Sequence, residues 1–255
     1  MNTPPERPVA LVTGASRGIG AAIAAALCAE GYAVAWAARS IDALRDLVAE
    51  HGGLAVALDV TDDDAMTRAL DEVREALGPI DVLVNNAGIA HSATIARTDD
   101  ELWAQTLAVN LTAPFKLTRA CMPHMLTQKW GRVVFIASNA GLSGYRFTSA
   151  YCASKHGVIG LTRALAVEVA GKGITVNAVC PGFVDTPMTE QTVARIQAIT
   201  GRDAESARKA LESLNPQRRL IEIDEVVHST LALLPHGARG INGQTVVVDG
   251  GQVQH

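Results

Sequence analysis

Three residues near the middle of the chain have the types and spacing to move a proton. Ser138 closes an apolar run at 132–137 that reads as a short buried strand. Tyr151 and Lys155 follow in a helical pattern starting near Ser149, four residues apart, so they share one helix face. An ammonium near a phenol favours phenolate and draws its pKa down from about 10 toward neutrality. Hydroxyl, phenol and ammonium together make a candidate general acid–base site. Taken alone, a Tyr-x-x-x-Lys pair is common by chance and reads as a core aromatic beside a solvated lysine. The elements around it decide between the two.

Those elements alternate strand and helix. A short apolar strand at 9–13 runs into TGASRGIG (13–20) and then an Ala-rich helix to about residue 30. Glycines let the main chain approach a pyrophosphate, and a helix N-terminus offers free N–H groups and a positive dipole end. Gly14, Gly18 and Gly20 suit that task, although their spacing is not the commoner G-x-G-x-x-G and an ordinary tight turn would use them too. A second strand at 32–38 ends in Ala37-Ala38-Arg39-Ser40. A site for NAD would place an acid there, on the ribose diol. With no carboxylate to repel a phosphate, and with Arg39 and Arg17 able to pair with one, the pattern favours NADP; the alternative is two solvated arginines.

Further strands are expected at 54–58, 80–84, 174–179 and 245–248, and helices at 41–51, 62–77, 102–127, 149–170 and 222–234. Asp59, followed by Val60, could accept from an adenine amino group or cap the next helix, for which Thr61 and Asp62 compete. Asn86, Ala87 and Gly88 suit a wall against a nucleotide, or a plain turn. Asn110 interrupts an apolar helical stretch, and a buried amide there needs partners. Pro181 and Gly182 follow the sixth strand, and 186–214 reads as a polar helical lid broken near Gly201. The fold class is therefore α/β: a single domain over 1–255, one doubly wound parallel sheet of about seven strands with helices on both faces. Ligands bind beyond the carboxyl ends of such strands. The glycine turn, Arg39, Asp59, Asn86, Ser138 and Pro181 each follow a strand, so all converge on one edge, which favours the acid–base reading.

A net charge of −4 gives no footprint for nucleic acid or an anionic membrane. No apolar run is long enough to span a bilayer, and MNTPPERP (1–8) lacks the apolar core of a signal peptide. Cys28, Cys121, Cys152 and Cys180 show no CxxC or Cys/His spacing, so no metal is expected and the thiols read as reduced, in the cytoplasm.

TGASRGIG (13–20), NNAG (85–88), Asn110, Ser138, YCASK (151–155) and PG (181–182) resemble, in order and spacing, the short-chain dehydrogenases/reductases. The resemblance implies that Tyr151 exchanges a proton with the carbonyl oxygen and that Ser138 hydrogen-bonds it. It implies that Lys155 binds the nicotinamide ribose and lowers the Tyr151 pKa, and that Asn110 holds a water linking Lys155 to solvent. It adds Ser16, Arg17, Ile19, Val60, Ala87, Gly88, Tyr151, Lys155, Gly182, Val184 and Thr186 to the expected NADP(H) contacts, and a homotetramer or dimer to the expected assembly. The stretches 154–165 and 173–188 are similar to bacterial 3-oxoacyl thioester reductases and aromatic polyketide ketoreductases. The expected activity is an NADPH-dependent carbonyl reductase or secondary alcohol dehydrogenase acting on a 3-oxoacyl thioester. The alternatives are a free ketone or alcohol (steroid, sugar or xenobiotic) and a catalytically silent NADP-binding sensor.

The substrate pocket should draw on His91, Asn139, Leu142, Tyr145, Phe147, Phe183 and Met188, which follow the same strands. His91 is either a donor to a substrate carbonyl or a loop histidine. Arg195, Arg202, Arg208, Lys209, Arg218 and Arg219 on and beyond the lid would suit the phosphates of coenzyme A or a carrier protein. Glu190, Asp203, Glu205 and Glu212 lie among them, so a solvated face of ion pairs is the competing reading.

Overall fold

The computed structural model describes residues 5–254. Residues 1–4 of the MNTPPERP segment, and residue 255, lie outside the described residues. The strands are β1 (Val9–Thr13), β2 (Ala33–Ala38), β3 (Leu54–Ala57), β4 (Val82–Asn85), β5 (Gly131–Ile136), β6 (Ile174–Pro181) and β7 (Thr245–Val248). The helices are α1 (Gly18–Ala29), α2 (Asp42–His51), α3 (Asp63–Ala76), α4 (Asp100–Leu107), α5 (Ala113–Gln128), α6 (Ser149–Val169), α7 (Pro187–Thr200), α8 (Ala204–Glu212) and α9 (Ile223–Leu231).

The strands form one seven-stranded sheet in the order β3-β2-β1-β4-β5-β6-β7. Each pairing is parallel. A parallel sheet covered on both faces needs strands that are apolar in both directions. VALVT, AVAWAA and GRVVFI accordingly are buried at every position. Alternate side chains point to opposite faces. Leu11, Leu83, Val133 and Phe135 pack with Val73, Leu117, Met125 and Val158 from α3, α5 and α6. Val12, Trp36, Val84 and Ile136 pack with Ile23, Leu27, Leu44 and Val226 from α1, α2 and α9. Each such large side chain contributes about 1.5–3 kcal/mol on burial. The chain starts in the middle of the sheet, at β1, and builds outward in both directions, so a crevice opens beyond the carboxyl ends of β1 and β4.

The expected elements are present with small shifts at their ends, except one. The single long helix expected at 102–127 is α4, a π-helical turn at Ala108–Thr112, and α5. Asn110 lies in that π turn. The insertion at 186–214 is α7 and α8, parted at Gly201, which takes φ +71° at the end of α7. The two helices close on a small core of Val193, Ala207, Leu211 and Leu220, with Phe183 against it. Among the described residues no helix is long and apolar enough to cross a membrane.

Candidate active site

The turn after β1 is braced from β4. The Thr13 hydroxyl accepts the Asn86 and Ala87 N–H groups, each at 3.0 Å. The Asn86 amide donates to the Thr13 carbonyl at 2.9 Å and the Gly14 carbonyl at 3.2 Å. Nothing larger than glycine fits inside this brace: a Cβ on Gly14 would stand 2.9 Å from the Ala87 Cα, and one on Gly20 would overlap the Asn86 amide. Asn86 therefore holds the turn through its side chain, and Thr13, the first residue of TGASRGIG, is its partner. α1 then starts with Arg17 at its N-cap and no side-chain cap, so its first N–H groups remain for an anion. Gly18, at φ +56°, faces Thr186, whose methyl would lie 3.7 Å from a Cβ there. Ser16 and Ile19 are half-buried in the turn, and Arg17 and Arg39 are exposed.

Asp59 accepts from the Thr61 N–H at 2.9 Å and the Thr61 hydroxyl at 2.7 Å. Those bonds, with the Arg39 charge behind them, hold its carboxyl below the usual range. Asp62 is the cap of α3, so Asp59 is not spent there. Val60 packs on the core beside α3. Val184 is 5 % exposed, with its side chain in the core; its carbonyl accepts from the Thr186 hydroxyl at 3.3 Å.

Ser138, Tyr151 and Lys155 meet at the end of β5. Lys155 is 5 % exposed, and its Nζ donates to the Ile136 carbonyl at 2.9 Å. Nζ stands 5.7 Å from the centre of the Tyr151 ring. Burial pushes the Lys155 pKa down from 10.5 to about 8. Burial pushes the Tyr151 phenol up, with hydrogen bonding to Ser138 working against it. The expectation that Lys155 lowers the phenol pKa is therefore corrected. The ammonium is tied to a β5 carbonyl, and loss of water is the largest influence on the phenol.

Gly88 completes the floor: a Cβ there would lie 3.4 Å from Asn110 Oδ1 and 3.8 Å from Lys155 Nζ. Asn110, 1 % exposed, donates to the Ile89 carbonyl at 2.9 Å and to Ser154 Oγ at 3.1 Å, and accepts the Ile89 N–H at 2.9 Å. Its amide thus pins the loop after β4 to the helix carrying Lys155. Ile89 escaped the motif reading, since no local pattern marks a main-chain partner, and Ser154 lies within YCASK without a role assigned to it. Pro181 ends β6, and Cys180 before it is fully buried, its thiol pushed up to about 11 by burial.

Of the expected pocket residues, Tyr145 and Phe183 pack edge to face, 6.3 Å apart. Burial, with the Asp249 charge next, pushes the Tyr145 phenol up to about 12. The Phe147 carbonyl accepts the Ala93 N–H at 2.7 Å, joining the loop at 143–148 to the one that carries His91. Phe147 and Met188 are exposed, His91 is half-buried, and Leu142 packs on the core. Asn139 is 3 % exposed, and its amide faces Asp249. The lid cations had two readings. Arg208 pairs with Asp185, Glu190 and Glu212, Lys209 with Glu205, and Arg219 with Glu225. The solvated, ion-paired face is the reading that holds for these three.

A family model described as short chain dehydrogenase matches residues 8–197. The chain belongs to the short-chain dehydrogenase family. Among relatives of this short-chain dehydrogenase, a granaticin polyketide synthase putative ketoacyl reductase of Streptomyces violaceoruber is 40% identical over 96% of this chain and 93% of its own. A 3-oxoacyl-(acyl-carrier-protein) reductase of Thermotoga maritima is 38% identical over 97% of this chain and 98% of its own. An uncharacterized oxidoreductase of Bacillus subtilis is 38% identical over 95% and 97%. A crystal structure of a point variant of actinorhodin polyketide ketoreductase with NADPH superposes with a TM-score of 0.95 at 37% identity, covering 100% of both chains.

Proposed function

We propose that this short-chain dehydrogenase is an NADP(H)-dependent carbonyl reductase whose substrate is a 3-oxoacyl thioester. The observation that carries the proposal is the cluster of Ser138, Tyr151 and Lys155 at the carboxyl edge of the sheet, the same edge on which the uncapped N-terminus of α1 lies. The residues fit a dinucleotide phosphate. The braced glycine turn and the free N–H groups of α1 suit the pyrophosphate, and exposed Arg39, with Ala37 and Ala38 before it and no acid, suits a 2′-phosphate. When bound, NADPH supplies the hydride.

The chain supplies the proton and its placement. A phenol pushed up by burial is protonated at neutral pH, so Tyr151 is in the acid form that carbonyl reduction requires. Ser138 orients the carbonyl oxygen toward it. Lys155, with a pKa of about 8, keeps its charge at neutral pH and favours whatever negative charge develops at the phenol oxygen as the proton leaves. Asn110 acts as the strut that sets the position of the Lys155 turn. The homotetramer or dimer implied by the family is supported by partly exposed Trp103 and Phe115 and by Val167, 80% exposed on α6.

The relatives named for 3-oxoacyl and polyketide substrates support the thioester. The ion-paired lid favours a second reading, a free ketone or secondary alcohol, because three of the six cations that would greet a phosphate are already held by carboxylates. The intact catalytic set speaks against a silent sensor. The test follows NADPH absorbance with acetoacetyl-CoA and with a free 3-oxo ester of the same chain length. A higher kcat/KM for the thioester supports the proposal. Equal values would move the assignment to free ketones, and no oxidation of NADPH by any ketone would leave only the sensor.

A further inference from the structure

We propose that Asn139 and Asp249 are positioning residues, and that with the turn at 250–253 they form a strap holding the Ser138 loop in register. This rests on the role given to Ser138 above. Ser138 leaves β5 with extended backbone, and its hydroxyl accepts the Ala140 N–H at 3.1 Å. The turn it opens, Asn139–Gly141, is a single 3-10 turn. So short an element has little stability of its own and takes its position from its neighbours. On one side it rests on α6, where a Cβ on Gly141 would be 2.7 Å from the Lys155 carbonyl. On the other side stands Asn139.

Asn139 Nδ2 donates to Asp249 Oδ2 at 3.2 Å and to Gln252 Oε1 at 3.3 Å. Asp249, 3 % exposed, is the hub. Its Oδ1 accepts the Gly251 and Gln252 N–H groups at 3.0 and 3.1 Å, and its Oδ2 accepts the Val253 N–H at 2.9 Å. A carboxylate buried this far needs such donors, and Asn139 is the one that comes from outside the turn. Gly182 closes the remaining side. A Cβ there would stand 2.9 Å from Asp249 Cβ and 3.5 Å from Asn139 Nδ2, and the Gly182 N–H donates to the Val248 carbonyl at 3.0 Å. The ends of β5, β6 and β7 thus meet at one carboxylate, one peptide unit from Ser138.

The strap is peripheral to the core. β7 lies at the edge of the sheet and is only half-buried along its length. Loosening it should therefore misplace Ser138 more than it unfolds the chain, and a misplacement of about 1 Å can lower turnover on the order of a hundredfold. Asn139→Asp sets two carboxylates against each other at the hub. We expect kcat for ketone reduction to fall at least tenfold at pH 8, with the NADPH dissociation constant and the melting temperature close to wild type. Relative to wild type, kcat should recover as pH falls, because the pair can then share a proton. The exchange Asn139→Asp with Asp249→Asn restores one amide and one carboxylate but turns an amide N–H toward the Val253 N–H, so it should recover part of the loss at pH 8. Gln252→Ala, which removes one acceptor, should give a smaller loss of the same kind. Wild-type turnover in Asn139→Asp, or a loss matched by weaker NADPH binding and melting and not recovered by the exchange, would overturn the strap. A wild-type protein inactive on every ketone would instead overturn the proposed function.

Discussion

Lys155→Met separates the cost of the buried ammonium from its use. In the wild type, burial lowers the pKa of Lys155 from 10.5 to about 8. At about 1.4 kcal/mol per unit, that shift is a stability penalty of roughly 3 kcal/mol while the group is charged. The folded pKa lies below the unfolded one, so the unfolded state binds more protons between the two values, and stability rises with pH across that window. The penalty is full below about pH 8 and gone above 10.5. Methionine carries no charge and no such dependence. The advantage of Lys155→Met over wild type should therefore shrink by roughly 2 kcal/mol between about pH 7 and pH 9.5. Losing the bond to the Ile136 carbonyl costs the variant about 1–3 kcal/mol, which moves its whole curve and leaves the slope alone. The assay is urea unfolding of both proteins without cofactor, at equal protein concentration, followed by circular dichroism across this range. Curves that stay parallel would refute the buried charge. The variant should have lost ketone reduction at every pH.

Tyr151→Phe keeps the ring and removes the proton of the proposed acid, so turnover should fall by roughly 10²–10⁴-fold while NADPH binding, followed by nicotinamide fluorescence, survives. Arg39→Asp sets a carboxylate where the 2′-phosphate is expected, and the ratio of kcat/KM for NADPH over NADH should fall steeply, chiefly by loss of NADPH; a wild type that already prefers NADH would contradict the reading of β2.

The strand ends were legible because each is a local event, an apolar run stopping at Gly, Pro or a polar residue, and parallel connection then places every such end on one edge. β1 and β7 lie at the residues expected from their patterns. The Tyr151–Lys155 spacing was legible for the same reason, since i and i+4 on a helix are neighbours wherever the helix goes. Lys209 with Glu205 is the same kind of pair, four residues apart on α8. What spacing does not carry is the identity of a partner from another strand. Arg208 meets Asp185 across 23 residues, Asn110 meets Ile89 across 21, and Asn139 meets Asp249 across 110.

The error over Tyr151 has the same origin. A phenol and an ammonium one turn apart predict a lowered phenol pKa only if both remain near water and close to each other's charge. Here β5 supplies the Ile136 carbonyl that holds the ammonium of Lys155, which is 5 % exposed, 5.7 Å from the centre of the half-buried Tyr151 ring. One cause then moves the two groups in opposite directions, because desolvation disfavours whichever form is charged: the anion of tyrosine and the cation of lysine. The resting site is a protonated phenol beside a buried cation, and the protonated form is the one a carbonyl reductase needs before its substrate arrives.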